Sequence, residues 1–212
     1  MVHKIKIPER GLFVTLEGGE GSGKTTLINY LKDGFEQLGK TVTVFREPGG
    51  TDFAEDVRKV FMKHNNLSPE TSVHIMNAQR QDNIEKIIRP ALEKGHVVVA
   101  DRYIGSTLVY QGLLNSKYDI VSELLIDIPQ TTIFVDVLPE VGLQRIASNN
   151  RETNRFDKMA IDKHTSIYHM YKQLAELQPE TYWDIIIDGE DSLEALEIEC
   201  HDIAKQLLKK VG

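Results

Sequence analysis

A glycine-rich segment, EGGEGSGKTT at residues 17–26, has the residue types needed to hold phosphate groups. Its spacing Gly18-x-x-x-x-Gly23-Lys24-Thr25 matches the P-loop pattern, in which successive backbone N–H groups point at phosphate oxygens. The lysine can reach the outer phosphates of a nucleoside triphosphate, and the threonine hydroxyl can bind Mg²⁺. The segment therefore predicts a nucleoside triphosphate site. A glycine-rich turn without a ligand is the alternative.

Two arginines, Arg46 and Arg102, follow short β-branched runs, and each has an acidic neighbour, Glu47 or Asp101. A guanidinium group presents a planar fork of N–H groups that suits a phosphate. Two such groups opposite a P-loop predict a second phosphate, so the acceptor is expected to be a nucleoside monophosphate. The alternative is that both arginines form structural salt bridges.

A third candidate segment is RETNRFD at residues 151–157, which is polar and follows a predicted helix. Arg151 and Arg155 are four residues apart, a spacing that also suits a solvated, charged helix. The P-loop has no basic residue besides its lysine, so further positive charge at the transfer site has to come from elsewhere. We therefore expect a lid at about residues 149–158 that excludes water and supplies a cationic side chain.

The elements that position these residues can be predicted from the alternation of short apolar runs with helical patterns. Strands are predicted at residues 11–17, 41–45, 97–100, 131–137 and 184–188. Helices are predicted at 24–38, 69–93, 119–127, 139–149, 158–178 and 191–210, with Ser68 as an N-cap. This order predicts an α/β fold of the P-loop NTPase type, a doubly wound five-stranded parallel sheet flanked by helices, in a single domain over residues 1–212 with a short lid.

Ligands of such sheets lie beyond the carboxyl ends of the strands. The P-loop, REPGGT at residues 46–51 and DRY at residues 101–103 all stand at that end of a predicted strand. We therefore expect the three motifs to line one crevice.

The composition argues against several other functions. A formal net charge of −7 does not suit a nucleic-acid surface, which needs a basic stripe. Apolar runs do not approach the roughly 20 residues that span a bilayer, and the first residues lack an apolar signal core, so a cytoplasmic protein without membrane contact is expected. Cys200, the single cysteine, is expected to be a core thiol, and Trp183 a core residue. The histidines show no metal-like convergence, and His164 and His169 are expected at the surface.

Taken together, the motifs show that the chain resembles the thymidylate (dTMP) kinases over nearly its whole length. The resemblance rests on EGGEGSGKTT, REPGGT, the Ala78-x-Arg80 helix, DRYIGSTLVYQG at residues 101–112, and RETNRFD. It implies a kinase that uses ATP and Mg²⁺ to convert dTMP to dTDP, usually as a homodimer. The acceptor is already an anion, so positioning and charge neutralisation carry the catalysis.

The resemblance also implies roles for individual residues. ATP is expected at Gly18, Gly19, Glu20, Gly21, Ser22, Gly23, Lys24, Thr25 and Thr26. Mg²⁺ is expected at Thr25 and near Asp101. The acceptor nucleotide is expected to contact Glu20, Arg46, Met76, Arg80, Arg102, Ser106, Thr107, Tyr110 and Gln111. Catalytic roles are expected for Lys24, Arg102 and one of the lid residues Arg151 and Arg155.

Some of these implied roles concern selectivity. Glu20 is expected beside the sugar 3′-hydroxyl, and Tyr110 is expected to close the space that a ribose 2′-hydroxyl needs. Arg80 is expected to bind thymine O4, with Thr107 facing N3 and Gln111 beside the base.

Two positions depart from the family pattern. Met76 stands where a phenylalanine commonly stacks on the base, and Gly105 replaces a residue that is often acidic or bulkier. A thioether packs on a ring with less shape selectivity. Met76 leaves open a kinase for dUMP or a modified pyrimidine deoxynucleotide. Two separate alternatives are a deoxynucleoside kinase with Glu17 or Glu47 as base, and a P-loop module that binds nucleotide without catalysis.

Overall fold

The fold is built on one parallel sheet, as predicted. The computed structural model describes residues 11–117, 119, 131–148, 155–177 and 183–211. Its strands are β1 Leu12–Glu17, β2 Val42–Arg46, β3 Val97–Asp101, β4 Thr131–Asp136 and β5 Ile185–Asp188. They pair in parallel in the order β2-β3-β1-β4-β5. Strands β3 and β2 lie on one side of β1, and β4 and β5 lie on the other, so the sheet is doubly wound.

Helices connect the strands and cover both faces of the sheet. They are α1 Lys24–Gln37, α2 Asp52–Lys63, α3 Pro69–Asn83, α4 Arg89–Glu93, α5 Ile104–Thr107, α6 Pro139–Ser148, α7 Ile161–Leu177 and α8 Leu193–Val211. A π-helical turn at Ile84–Ile88 joins α3 to α4, and another at Leu108–Gly112 continues α5 into a 3₁₀ turn at Leu113–Asn115. The long helix predicted at 69–93 is therefore confirmed. Of the helix predicted at 119–127, all but residue 119 lies outside the described residues.

The helix caps follow from the sequence. The Ser68 hydroxyl accepts the backbone N–H of Thr71 at 3.1 Å, which confirms it as the N-cap of α3. Thr51 caps α2 in the same way, by accepting the N–H of Ala54 at 3.1 Å. Helix α2 was not predicted, although Phe53, Val57 and Phe61 stand at helical spacing in the sequence.

Apolar side chains of alternate strand positions fill two layers, one on each face of the sheet. One layer packs β1, β3 and β4 against α1 and α8, and it includes Leu31 and Cys200. Burial raises the pKa of the Cys200 thiol to about 12, which fits the predicted core thiol. The other layer packs the opposite face against α3, α5 and α7, and Trp183 lies against it, stacked on Phe134 with 5.3 Å between ring centroids. None of the described helices is long and apolar enough to cross a membrane.

Candidate active site

The P-loop runs from the end of β1 to the start of α1 and encloses its own lysine. Lys24 is only 7% exposed, and its ammonium donates to Gly18 O at 3.1 Å, to Gly19 O at 2.8 Å and to the Ser22 hydroxyl at 3.2 Å. Burial lowers the pKa of Lys24 to about 8, and the nearby charge of Arg102 adds to the shift. The loop therefore holds a desolvated cation at the position from which a P-loop lysine reaches phosphate.

Helix α6 supports this loop through close backbone contact. Gly21 has a φ of 73°, and any side chain there would collide with the backbone of Gly142 in α6. A side chain at Gly142 would in turn approach Glu20 O to 2.5 Å. Both positions therefore need glycine, and the contact fixes the loop against the helix that leads toward the predicted lid.

On the predicted acceptor side, Arg102 and Glu20 form an ion pair at 3.0 Å that joins the end of β3 to the P-loop. Arg102 also donates from Nη1 to Gly18 O at 2.9 Å, and its backbone has a φ of 68°. The Tyr110 hydroxyl lies 2.8 Å from both carboxylate oxygens of Glu20. Burial opposes ionisation of Glu20, but Arg102 and Lys24 outweigh it, so the pKa of this carboxyl lies below its ordinary value.

A second, fully buried ion pair forms the floor of the cleft. Arg80 donates from Nε and Nη2 to one oxygen of Glu47, at 2.9 and 2.7 Å, and from Nη2 to the Thr107 hydroxyl at 2.9 Å. Its guanidinium lies 4.6 Å from the centre of the Tyr103 ring. Its Nη1 is buried, and no described residue accepts a hydrogen bond from it. Arg80 thus retains a donor that a carbonyl oxygen of a ligand could satisfy.

These groups line a single cleft of about 470 Å³ at the carboxyl ends of the strands. The predicted site residues that line it are Glu20, Gly21, Ser22, Gly23, Lys24, Thr25, Thr26, Arg46, Met76, Arg80, Asp101, Arg102, Ser106, Thr107, Tyr110 and Gln111. Gly18 and Gly19 do not line the cleft, although Lys24 contacts their carbonyls. Arg151 lies outside the described residues. The expectation that the three motifs share one crevice is confirmed.

Two further arginines approach the cleft from β2 and α2. Arg46 is exposed, and its Nη2 contacts both carboxylate oxygens of Glu55 at 3.0 and 3.1 Å. Arg58 also lines the cleft and donates to Pro48 O at 2.8 Å. Sequence reasoning missed Arg58, because it lies on the unpredicted helix α2. The Thr51 cap and an arginine at helical spacing after REPGGT were the available signals.

Arg155, which belongs to the predicted lid, does not line the cleft with the P-loop. Its Nη1 donates to His64 O at 2.6 Å and to Asn65 Oδ1 at 3.2 Å. Its guanidinium carbon lies 4.5 Å from the ring centre of Phe61 and 4.7 Å from that of Phe156. The side chain lines a neighbouring cavity of about 340 Å³ and is not among the residues that line the cleft.

The prediction of a surface position was wrong for His164, whereas His169 is exposed. His164 is 5% exposed, and its Nδ1 lies 3.8 Å from a carboxylate oxygen of Glu20. Helix α7 turns one face inward, and that face carries His164, Ile167, Tyr171 and Leu174. Their spacing of three, four and three residues is a buried helical stripe, so the signal was present in the sequence.

The carboxylates considered as bases for a hydroxyl acceptor are engaged elsewhere. Glu17 is fully buried, does not line the cleft, and accepts from Tyr103 N at 2.8 Å and from the Ser106 hydroxyl at 2.6 Å. A side chain at Gly105 would lie 2.9 Å from the Glu17 carboxyl group, so the glycine gives this anchor its space. Glu47 is bound to Arg80, as described above.

The donor set fits a magnesium ion that is held largely by its nucleotide. Asp101 Oδ1 is buried and accepts no hydrogen bond from a described residue, and Thr25 lines the cleft nearby. The described part of the chain has no group of three or more His, Cys, Asp or Glu side chains that could hold a metal. Mg²⁺ typically uses one or two protein oxygens together with phosphates and waters, so this sparse set is suitable.

Comparison with known proteins agrees with this geometry. The family profile described as thymidylate kinase matches residues 16–199. The thymidylate kinase of Bacillus velezensis is 35% identical, covering 95% of this chain and 98% of its own length. That of Oceanobacillus iheyensis is 37% identical over 94% of this chain and 92% of its own, and that of Rickettsia rickettsii 36% over 90% and 96%. A P-loop joined through Glu20 to Arg102 at the carboxyl ends of the strands, with this similarity over almost the entire chain, places the chain in the thymidylate kinase family.

Proposed function

We infer that this chain transfers the terminal phosphoryl group of ATP to dTMP and forms dTDP. The observation that carries this inference is the ion pair between Glu20 and Arg102, which ties the triphosphate loop to the acceptor side of one cleft. A donor site and an acceptor site in direct contact are what phosphoryl transfer between two nucleotides requires.

On the donor side, ATP binds along residues 18–26, where the N–H groups of the loop and the N-terminal end of α1 face the phosphates. Lys24 exchanges its contacts with the loop carbonyls for phosphate oxygens. Thr25 and Asp101 are the residues that would hold Mg²⁺, which supplies charge neutralisation at the transferred group when bound.

On the acceptor side, Arg46 and Arg102 hold the phosphate of dTMP, and Arg58 adds positive charge at the same wall. Glu20 accepts a hydrogen bond from the 3′-hydroxyl, while Tyr110 occupies the space beside C2′.

Base recognition comes from the floor and the helix after β3. The unsatisfied Nη1 of Arg80 donates to thymine O4. Met76 packs on the ring, Thr107 faces N3, and Gln111 lies at the base edge. Ser106 takes part through its contact with Arg102 at 3.1 Å.

The acceptor phosphate oxygen attacks the γ-phosphorus of ATP in line, and the bond from the γ-phosphorus to the bridging oxygen of ADP breaks. A general base is not needed, because the attacking oxygen is already anionic. Lys24 and Arg102 neutralise charge that develops on the transferred group. Arg151 or Arg155 completes this shell from the lid, and Arg155 has to leave its position between Phe61 and Phe156 to do so.

ADP formation with a panel of acceptors tests this function. With ATP and Mg²⁺, dTMP is expected to give the highest kcat/KM, and dUMP a value lower by about tenfold or more because it lacks the 5-methyl group. The ribose analogue of dTMP is expected to be poor because Tyr110 blocks its 2′-hydroxyl. Comparable values for dTMP, dUMP and dCMP would assign a relaxed pocket to Met76. Turnover of thymidine in the absence of turnover with dTMP would overturn the proposal.

We also propose that the chain forms a homodimer through α2. Phe53 and Val60 lie seven residues apart on this helix, on one face, and are 47% and 54% exposed. Replacing both with glutamate is expected to convert a dimer into a monomer in light scattering at micromolar concentration. Leu193→Glu is the matched control, because this residue is 63% exposed on α8. A wild-type protein that elutes as a monomer would contradict the proposal.

We place the protein in the cytoplasm, since its only cysteine is a buried free thiol, which suits a reducing compartment.

A further inference from the structure

Tyr171 of α7 contacts residues of the acceptor side from the interior of the protein. The residue is 1% exposed, and its hydroxyl lies 3.0 Å from Arg102 Nη1 and 2.9 Å from the Ser106 hydroxyl. Helix α7 begins at Ile161, shortly after the predicted lid. The roles assigned so far make no use of this phenol.

The donors and acceptors around the phenol limit the direction of its hydrogen bonds. A guanidinium N–H can only donate, so the Tyr171 oxygen accepts from Arg102. The Ser106 hydroxyl donates to Glu17 at 2.6 Å, and the phenolic proton has two acceptors, the Ser106 oxygen at 2.9 Å and Glu17 Oε2 at 3.4 Å. The Glu17 carboxylate also accepts the N–H of Tyr103. The hydrogen bonds therefore run from Arg102 through Tyr171 to the buried Glu17 carboxylate, either directly or by way of Ser106.

The phenol keeps its proton under all ordinary conditions. Burial raises the pKa of Tyr171 above its usual value, although the charge of Arg102 opposes this shift. A neutral hydroxyl can accept and donate at once, which is what the two partners require. The ring stacks on Phe134 with 5.6 Å between centroids, and the indole N–H of Trp183 donates to the Tyr171 backbone carbonyl at 3.1 Å.

Arg102 depends on such contacts for its position. Its backbone has a left-handed φ of 68°, a conformation that non-glycine residues adopt only when their surroundings impose it. Its Nη1 faces Gly18 O and the hydroxyls of Ser106 and Tyr171, while its Nη2 faces Glu20. Tyr171 is the partner among these four that comes from outside the P-loop and the segment that follows β3.

We propose that Tyr171 is a positioning residue for the acceptor phosphate: its hydroxyl holds the Arg102 guanidinium in the orientation that binds the phosphate of the monophosphate acceptor. The proposal rests on the proposed function, which places that phosphate at Arg102. Helix α7 then contributes to acceptor recognition through Arg102, although none of its residues lines the cleft.

Paired binding measurements with dTMP and thymidine test this assignment. Tyr171→Phe keeps the ring and its stacking but removes the hydroxyl. A hydrogen bond to a charged group is lost, so the Kd of dTMP in calorimetry is expected to rise about tenfold. Thymidine lacks the phosphate, so its Kd is expected to change less than about twofold. The KM for ATP is expected to stay within the same limit, which a general loss of structure would not allow.

Tyr168→Phe is the matched control, because Tyr168 lies on the same helix and packs near Lys172, away from Arg102. It should leave both affinities unchanged. A double-mutant cycle that combines Tyr171→Phe with Ser106→Ala adds a second readout. If both hydroxyls act through Arg102, the effects of the two substitutions on the Kd of dTMP will be less than additive.

The outcomes separate this assignment from the proposed function. A wild-type protein that binds dTMP no more tightly than thymidine would refute the phosphate site at Arg102 itself. A wild type that prefers dTMP, with a Tyr171→Phe variant that keeps the full preference, would overturn the role of Tyr171 alone. Equal losses for dTMP and thymidine, together with a lower unfolding temperature, would also overturn it, because they indicate a purely structural residue.

Discussion

Replacing Lys24 with methionine is expected to lower kcat for ADP formation with dTMP by about a thousandfold. Lys24 is the basic residue that the P-loop contributes, and its burial makes each of its electrostatic contacts strong. Methionine keeps an unbranched side chain of similar length, so the loop should still fold. Steady-state kinetics with saturating ATP and Mg²⁺ measures the loss, and Lys32→Met, an exposed lysine on the same helix, is the control.

The same variant is expected to change how stability depends on pH. The folded pKa of Lys24, about 8, lies below its unfolded value of about 10.5, so the unfolded chain binds more protons between these values. The contribution of Lys24 to the free energy of unfolding of the wild type therefore increases as the pH rises from 8 to 10.5. The methionine variant lacks this increase. The unfolding temperature of the variant relative to wild type should be higher at pH 7 than at pH 10. An unchanged difference, or residual kcat above a tenth of wild type, would contradict the role given to Lys24.

Breaking the buried Arg80–Glu47 pair is expected to have the largest effect on stability. The two side chains are 1% and 3% exposed, so Arg80→Met leaves an uncompensated carboxylate in the interior. The free energy of unfolding is expected to fall by about 3–5 kcal/mol, measured by urea denaturation. Glu55→Gln, which breaks the exposed pair with Arg46, is expected to cost less than about 1 kcal/mol and serves as control.

A double variant separates stability from recognition at the same pair. Arg80→Met with Glu47→Leu removes both charges, so much of the lost stability should return. Affinity for dTMP should not return, because the Nη1 donor proposed for thymine O4 is gone. Recovery of dTMP binding together with stability would show that Arg80 has a structural role and no role in base recognition.

The elements of the sheet could be predicted closely because their signal is local. Runs such as VVVA need only their own residues to become a buried strand, and β3 starts at Val97 as predicted. Helix α2 was not predicted, although Phe53, Val57 and Phe61 stand at helical spacing; it packs on α3 and exposes Phe53. Arg58 was missed along with its helix.

Many residues that line the cleft could be predicted from motifs, but the contacts that these residues make could not. Motifs gave residues of the P-loop and of the predicted acceptor side, yet the contact between Arg80 and Glu47 spans 33 positions and depends on how α3 packs against the segment after β2. His164 and Tyr171 belong to one buried stripe of α7, and the helical spacing of this stripe is present in the sequence. The polar character of histidine favoured a surface position in the prediction, whereas the nearby carboxylate of Glu20 accounts for its buried position.

The bond between Glu20 and Arg102 also bears on which small molecules can block the cleft. A lone anion gains the guanidinium but meets the repulsion of the carboxylate, and a lone hydroxyl donor gains the carboxylate but has to share it with Tyr110. A ligand that carries an anion and a hydroxyl at a fixed separation can bind both groups at once. It loses translational and rotational entropy a single time, whereas two separate ligands would lose it twice. Inorganic phosphate and free nucleosides each resemble half of the proposed acceptor, and we therefore expect both to compete poorly for this cleft.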